Sequence, residues 1–429
     1  MNTTDWRTVP LWSVATETRV AVDPTDLGDQ VVHYSIPAVD ATGTGQVEAT
    51  DSIKSAKLRL RGGEVLVSKL NPRKSRVLIV TDSLLPIVSS TEFVGLLPGA
   101  KLEPRFLAYF LQSEATRQVL DSQVQSVTRS HQRVAPEDIT HLPVRLPSLD
   151  EQRRIADFLN AETTRIDKLT ATLQRERDLL AERRAAGVAA AVSGSAHTNR
   201  RPSTLTWLES VPTAWQEVRL GLLARMGSGH TPSRSRPEWW TDCSIPWITT
   251  GEVRQVRDDR VEDLYETREK ISELGLANSA AELHPRGTVF LCRTASAGYS
   301  GVMGIDMATS QDFVTWTCGP RLLPHYLLWC LRAMRPDLLG RLAMGSTHKT
   351  IYVPDLQMLR IPLPLPDEQE KITQTIRRQN ARLDKLGDRV RLQQELLGER
   401  RQAIITAAVT GQFDVSTASG RNVTEGVSV

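Results

Sequence analysis

The chain is written twice, and that duplication restricts its possible folds more than any other property. Pro147-Ser148-Leu149-Asp150-Glu151-Gln152 returns as Pro364-Leu365-Pro366-Asp367-Glu368-Gln369. Further on, Arg165, Asp167, Lys168 and Leu169 return as Arg382, Asp384, Lys385 and Leu386, and Glu182-Arg183-Arg184 returns as Glu399-Arg400-Arg401. The block closes on Ala190-Ala191-Val192-Ser193-Gly194 and again on Ala407-Ala408-Val409-Thr410-Gly411. Asp150 and Asp367, Asp167 and Asp384, and Gly194 and Gly411 are each 217 residues apart, so one register serves the whole block without a gap. Two copies of one unit predict a pseudo-two-fold molecule and a partner that is itself two-fold or bipartite.

Within the blocks the apolar pattern has a period of seven. Leu159, Ile166, Leu173 and Leu180 form one row, and Ile376, Leu383, Val390 and Leu397 form its counterpart, continued by Ile404. Such a row keeps one stripe of a helix facing a partner helix, which is the seam of a coiled coil. The offset row mixes apolar and polar residues (Ile155, Glu162, Leu169, Glu176; Ile372, Gln379, Leu386, Gln393), a pattern that sacrifices stability and can fix register. At ~1.5 Å per residue each block makes a rod of roughly 60–65 Å. Two rods packed antiparallel would carry two globular regions with two-fold symmetry. Ordinary core helices would not need one register along their whole length in both copies. Apolar residues off the seam (Phe158, Leu179, Leu392, Leu396) leave room for helices from a partner.

A chain of 429 residues is too long for one core. The pattern predicts a mixed α/β (α+β) chain with two pseudo-symmetric globular domains joined by a long antiparallel two-helix coiled coil. The first globular region spans 1–145, the first helical block 146–194 and a polar linker with Pro202 195–204. The second globular region spans 205–362, the second block 363–411 and a polar tail, expected to be disordered, 412–429. Strand-like runs occur at Gly63–Val67 and Val77–Val80, and a helix-like stretch at Pro104–Gln123. The second globular region repeats the landmarks of the first. Trp6 matches Trp215, Gly63-Glu64-Val65 matches Gly287-Thr288-Val289, Glu92-Phe93-Val94 matches Asp312-Phe313-Val314, Pro104 matches Pro324 and His131 matches His348. Here the offset drifts (209 at Trp6/Trp215, 224 at Gly63/Gly287, 217 at His131/His348), so insertions fall in loops. Helices copied in fixed register and loops that diverge suit a frame that presents two different readers.

Composition narrows the class. Hydrophobic residues make up 40% and charged residues 24%, ordinary for a globular protein. No apolar run reaches the ~18–20 residues of a membrane span, and the N-terminal residues lack the basic and apolar regions of a signal peptide, so no membrane and a cytoplasmic location are expected. Cys243, Cys292, Cys318 and Cys330 have neither zinc-site nor disulfide spacing and are expected to be buried free thiols. The net charge of +3 does not establish nucleic-acid binding, which local clusters must carry.

The duplicated Leu-Pro-x-x-Asp-Glu-Gln string (Leu146–Gln152; Leu363–Gln369), the long helix behind it and the Glu-Arg-Arg segment resemble the DNA-specificity subunit of type I restriction–modification systems. The resemblance covers nearly the whole chain. The second globular region is similar to a target-recognition domain of that family through Gly229-His230-Thr231-Pro232-Ser233, Trp239-Trp240, Ile245–Glu252, Gly287–Arg293 and Ser310-Gln311-Asp312-Phe313. The first region lacks the Thr-Pro-Ser and Ile-Pro-Trp elements, and Thr294–Gly298 departs from the usual Gly-Ser-Ile-Gly-like turn. The resemblance implies a non-catalytic subunit in which each globular domain reads one half of an interrupted double-stranded DNA site. It implies two docked adenine-methyltransferase subunits, with two restriction subunits where the system has them. S-adenosylmethionine would bind the methyltransferase subunits, leaving this chain without a cofactor or metal.

The missing motifs agree. Asn71-Pro72-Arg73-Lys74 lacks the second proline and the aromatic residue of the loop that holds a flipped adenine. Gly227-Ser228-Gly229 is a lone G-x-G, and neither a P-loop nor a metal-spaced cluster occurs. Two rival readings are a self-contained methyltransferase or nuclease with an unrecognised active site and a coiled-coil adaptor. Candidate DNA contacts follow from residue chemistry, since Arg, Lys, Asn and the hydroxyl residues serve phosphates and base edges. In the first domain they are Lys69, Asn71, Arg73, Lys74 and Arg76, and a second cluster of Arg129, Ser130, His131 and Arg133. In the second domain they are Arg234, Arg236, Thr249, Thr250, Glu252, Arg293, Thr294, Thr347, His348 and Lys349. His131 and His348 are read as binding or structural residues rather than catalytic ones. Trp239, Trp240 and Trp247 are read as core.

Overall fold

The structure, a computed structural model, describes residues 6–124, 132–343 and 349–415. Two helices dominate it, Leu149–Val192 with 44 residues and Pro366–Thr410 with 45. Each starts on an acidic first turn (Asp150 and Glu151; Asp367 and Glu368), which complements the positive end of the helix dipole. The chain divides into two compact units, one from Met1–Leu173 with Leu392–Val429 and the other from Gln174–Arg391. Each long helix therefore contributes one half to each unit.

The repeated Asp-Glu-Gln string has a local reason. Gln152 is fully buried: its Oε1 accepts from the Glu103 N–H at 2.9 Å, and its amide nitrogen donates to the Lys101 and Pro147 carbonyls, both at 3.0 Å. Gln369, also fully buried, repeats this with the Leu323 N–H at 2.8 Å and the Arg321 and Pro364 carbonyls at 2.9 Å. One side chain thus satisfies three backbone groups at the junction of head and helix. The other helix end is equally duplicated. Gly194 and Gly411 hold φ of 67° and 74°, the left-handed conformation that closes a helix. The N–H of Ser195 returns to the Ala190 carbonyl and that of Gln412 to the Ala407 carbonyl. A β-carbon on Gly194 would sit 2.7 Å from the Trp215 ring and one on Gly411 3.2 Å from the Trp6 ring, so the matched tryptophans cover matched glycines.

The seam is buried unevenly along its length. Leu159 and Ile166 join a core cluster with Phe106, Leu107, Ile404, Ile405 and Val409 in the first unit. Ile376 joins Val188, Val192, Tyr326 and Leu327 in the second. Val390 is buried, whereas Leu173, Leu180, Leu383 and Leu397 are half-buried. In the offset row Leu169 and Leu386 stay 47% and 42% exposed, so only one row of the repeat is well covered. Inside each unit the halves run antiparallel. Asp167 pairs with Arg401 at 3.5 Å in the first, and Asp384 with Arg184 in the second. These are the same two duplicated positions, joined crosswise.

The heads share a scaffold. In the first unit, strand Arg7–Pro10 pairs antiparallel with Pro143–Leu146. A four-stranded sheet runs in the order Ala15–Thr18, Phe93–Pro98, Val65–Ser68, Val77–Ile79. In the second, Gln216–Arg219 pairs with Arg360–Leu363, and Ala224–Ser228, Phe313–Cys318, Val289–Cys292 and Ser300–Met303 keep the corresponding order. Helix Pro104–Gln112 packs its apolar face (Phe106, Leu107, Phe110, Leu111) on the first sheet, and Pro324–Asp337 packs Tyr326, Leu327 and Leu331 on the second. The mixed α/β class predicted from the pattern is the one observed.

Some local expectations differ. The helix-like stretch Pro104–Gln123 breaks at Ser113, whose hydroxyl accepts from the Thr116 N–H and caps a separate helix, Glu114–Ser122. The polar stretch 195–204 is not a bare linker, because Arg200–Pro202 pairs antiparallel with Ser210–Pro212. Arg200 donates to the Ser193 carbonyl at 3.1 Å, tying the hairpin to the helix end. The tail from 412 begins with Phe413 packed on Phe158, ring centroids 5.6 Å apart, while residues 416–429 lie outside the described part. Of the thiols, Cys292 and Cys330 are buried and Cys243 and Cys318 half-buried. Burial pushes the Cys292 thiol up to about 11 and those of Cys318 and Cys330 up to about 12, so none of these three is a ready nucleophile.

The hairpin carries a pH dependence. Burial pushes the Glu217 carboxyl up, but hydrogen bonds from Ser203, Arg201 and Thr204 outweigh it and hold the group at about 2 against the usual 4.5. A lowered carboxyl stabilises the fold fully above 4.5, and that contribution is lost as the pH falls to about 2. Glu217→Gln is expected to be less stable than the parent at neutral pH, with the difference shrinking through that window. Denaturant midpoints across an acid titration measure it; a constant difference would refute this role.

Candidate nucleic-acid interface

In the second head Thr249, Thr250, Arg293 and Thr294 gather where two parallel strands end. Ile245–Ile248 and Ala308–Thr309 pair in parallel, and the Ser310 N–H donates to the Ile248 carbonyl at 2.9 Å. The segments Thr249-Thr250 and Ser310-Gln311-Asp312 therefore leave the sheet side by side. The loop at Gly229–Pro232 lies on them. His230 donates its N–H to the Thr309 carbonyl at 3.0 Å, and a β-carbon on Gly229 would meet that oxygen at 2.1 Å, so only glycine fits. Thr231 donates its hydroxyl to Gln311 Oε1 at 2.6 Å. Arg293 joins through its N–H to the Asp312 carbonyl at 2.8 Å and its Nε to the Gln311 carbonyl at 3.0 Å. Thr294 bridges antiparallel to Thr350, so Ile351 donates its N–H to the Arg293 carbonyl at 2.8 Å and the exposed Lys349 lies one residue before the bridge.

The first head repeats this backbone without the motifs. Gln30–Tyr34 and Ile87–Ser89 are parallel, and the Ser90 N–H donates to the Tyr34 carbonyl at 3.0 Å. Lys69 donates its N–H to the Glu92 carbonyl at 2.8 Å, as Arg293 does to Asp312. Leu70 bridges to Arg133, and the Asn71 N–H donates to the Gln132 carbonyl at 2.8 Å. So each head brings its two basic loops together: 69–76 with 132–133, and 293–294 with 349–350.

The individual side chains fare differently. Lys74 is exposed, and Arg73, 65% exposed, pairs with Asp121 at 2.6 Å. Lys69 and Asn71 are half-buried, and Asn71 holds φ of 51°, which shapes the loop. Arg133 makes a two-pronged pair with Glu92 at 3.0 and 2.9 Å. Arg234 stacks 3.9 Å above the Trp240 ring and pairs with Glu269 at 2.9 Å, and Arg236 lies 3.7 Å from Glu238. Thr250 is exposed, while Thr249, Arg293 and Thr294 are half-buried. Arg129, Ser130, His131, Thr347 and His348 lie outside the described residues.

Two expected contacts belong to the framework instead. The Arg76 side chain is only 7% exposed, makes a two-pronged pair with Asp40 and donates to the Leu70 carbonyl at 3.2 Å. That pairing holds the Asp40 carboxyl below its usual range. Glu252 is buried and accepts from the Arg268 N–H at 2.8 Å and the Gln255 amide at 2.6 Å, because a buried carboxylate must satisfy its oxygens locally. Trp247 is core as expected, but Trp239 and Trp240 are half-buried. Conversely, Ser90, Thr91, Thr231 and Gln311 were not among the expected contacts. Thr231 and Gln311 stand inside the quoted motifs; Ser90 and Thr91 become visible only through the backbone match to Ser310 and Gln311.

A family model, the type I restriction modification DNA specificity domain, matches residues 33–176 and 212–389, well over half of the chain. The chain belongs to that family. It is a specificity subunit of a type I restriction–modification system, a DNA target-recognition protein and not a catalyst. Each matched stretch runs from a head into the long helix that follows it. The chain is 22% identical over 398 residues to the putative type I restriction enzyme MjaX specificity subunit of Methanocaldococcus jannaschii, covering 88% of this chain and 85% of that protein. It is 26% identical over 170 residues to the MjaIX specificity subunit of the same organism, a match that spans 39% of this chain and 38% of the relative. A solved structure concerned with complex assembly and conformational transition of the type I R-M system shares the fold. Its TM-score is 0.68 at 22% identity, over 95% of this chain and 98% of that one. Among the described residues of the specificity subunit, no group of three or more His, Cys, Asp or Glu could hold a metal ion, and no helix is long and apolar enough to cross a membrane.

Proposed function

We propose that the two heads read the two halves of an interrupted double-stranded DNA site and that two adenine-methyltransferase subunits dock on equivalent parts of the helix pair. Restriction subunits join where the system has them, and S-adenosylmethionine binds the methyltransferase subunits. The helices set the gap between the half-sites, and the complex works in the cytoplasm. The crosswise pairing of duplicated positions, Arg184 with Asp384 and Arg401 with Asp167, carries this reading. It gives two equivalent environments to one kind of partner, which a symmetric pair of docked subunits requires. Leu169 and Leu396 in one unit and Leu386 and Leu179 in the other stay exposed on the helices, matched apolar positions for such docking.

The head edges carry the DNA side of the proposal. Lys69 to Lys74 with Arg133, and Arg293 with Lys349, are positive groups beside exposed hydroxyls and amides, the mixture used for phosphates and base edges. Arg73→Ala combined with Lys74→Ala is expected to weaken binding to every duplex alike and to make the plot of log affinity against log salt shallower by about one to two. Titrations at several salt concentrations measure this. An unchanged slope removes the loop from the interface.

A further inference from the structure

We infer that Gln311 is a specificity-determining residue of the second head, a reader of adenine, and that Thr91 holds the same place in the first head and reads differently. The inference rests on the proposal that these head edges face DNA. The turns that carry the two residues are the same turn. Ser90 and Ser310 donate to the ends of the neighbouring parallel strands at 3.0 and 2.9 Å. The Phe93 and Phe313 N–H groups close on the Ser90 and Ser310 carbonyls at 3.0 and 3.2 Å. The Lys69 and Arg293 N–H groups both reach the carbonyl of the acidic residue in the turn at 2.8 Å. Between these fixed points one residue in each head is exposed, Thr91 in the first and Gln311 in the second. Two heads with one backbone and different side chains at the exposed tip have the arrangement that a two-part asymmetric site demands.

Gln311 is also pre-oriented. The Thr231 hydroxyl occupies one lone pair of its Oε1 at 2.6 Å, and Thr231 is held by the Gly229–His230 backbone against Thr309. This leaves both amide N–H groups and the second lone pair of Oε1. A donor beside an acceptor in one plane matches the N7 and N6 edge of adenine in the major groove, whereas guanine presents two acceptors. Arg293, bonded to the Gln311 backbone carbonyl at 3.0 Å, puts a positive group beside the reader. Thr91 offers a hydroxyl and a methyl group, which suit several bases or the methyl group of thymine.

The test uses the full chain in the complex purified from its host, selecting from a pool of randomised duplexes. The parent complex should enrich a split motif. Gln311→Ala should relax one base pair in one half-site, with discrimination there falling about ten- to a hundred-fold, and the other half-site unchanged. Gln311→Glu should move the preference at that same base pair from adenine toward cytosine, whose N4 group donates to a carboxylate. Thr91→Ala should act only in the opposite half-site. The inference is overturned by a motif unaltered in all three variants, by changes in both halves from one substitution, or by a uniform loss over all sequences. A parent complex that enriches no split motif would overturn the proposed function itself, an outcome distinct from those.

Discussion

Gln369→Leu, and equally Gln152→Leu, should lower the stability of its unit by about 2–4 kcal/mol. Each substitution removes three hydrogen bonds and keeps the side-chain volume. It leaves one N–H and two carbonyls without their partner, at a site where the glutamine itself is fully buried. A net hydrogen bond contributes about 1 kcal/mol, and an orphaned buried group costs about 1–3 kcal/mol, reduced where water can replace the side chain. Against the ~5–15 kcal/mol that hold a domain, the loss is large. The two copies should lose similar amounts, because their contacts agree to about 0.1 Å. Glutamate should be worse than leucine, since a carboxylate has no N–H for the two carbonyls and would repel them. Denaturant unfolding of the parent, the two leucine variants and the glutamate variant measures this. A glutamate variant as stable as the parent would show that the clamp contributes nothing.

The same residue shows what a sequence discloses and what it withholds. The Asp-Glu-Gln string stands out because it is repeated in register. Its purpose is hidden, because the atoms it satisfies are backbone groups at positions such as 101 and 321 that carry no side-chain pattern. The long helices were legible throughout, since a seven-residue row and a fixed offset follow directly from helix geometry. How deeply each seam residue is buried was not. Leu159 and Ile376 are buried against the cores of heads that are remote in sequence, while Leu173 and Leu383 are only half-buried.

The loop edges of the heads follow the same division. Basic clusters at 69–76 and 293–294 are visible as composition, but ionic partners chosen by folding are not. Asp40 pairs with Arg76 from 36 positions away, and the Arg268 backbone N–H engages Glu252 in the same way. The first head carries no Thr-Pro-Ser or Ile-Pro-Trp string, yet its strand Gln30–Tyr34 occupies the place of Ile245–Ile248. A parallel pairing is set by topology and by burial of alternate residues, which several sequences meet equally well. Thr91 therefore emerges only once the two backbones are compared.

A second large effect is expected from Asp259→Asn, about 3 kcal/mol of stability in the second unit. Asp259 sits in the left-handed region at φ of 59°, which asparagine tolerates as well as aspartate does, so the substitution removes charge without adding strain. Its carboxylate receives both prongs of Arg335, at 2.9 and 2.7 Å, and lies 3.3 Å from Arg332 Nε. Its carbonyl accepts from Arg332 at 2.9 Å and from Arg184 of the first long helix at 3.2 Å. The next residue, Arg260, reaches Asp384 and Asp388 of the second long helix at 3.2 and 2.8 Å. One loop of the head is thereby joined to both helices. Arg332 decides the magnitude: its side chain is 2% exposed, and burial lowers its pKa to about 10 despite the opposing pull of Asp259. Removing the carboxylate leaves that guanidinium buried with carbonyls and the Trp329 ring, 4.8 Å away, and no directly paired carboxylate, and breaking a buried pair from one side costs about 3–5 kcal/mol. The surviving bonds to the Asp259, Val261 and Ser300 carbonyls place the effect at the low end. Arg332→Leu should be destabilising in the parent and much less so in the asparagine background, because the second change removes the stranded charge. Denaturant midpoints of the four proteins close the cycle. Additive losses, or an asparagine variant within about 0.5 kcal/mol of the parent, the range of surface substitutions, would mean that the carboxylate is solvated and the loop is held by its backbone contacts.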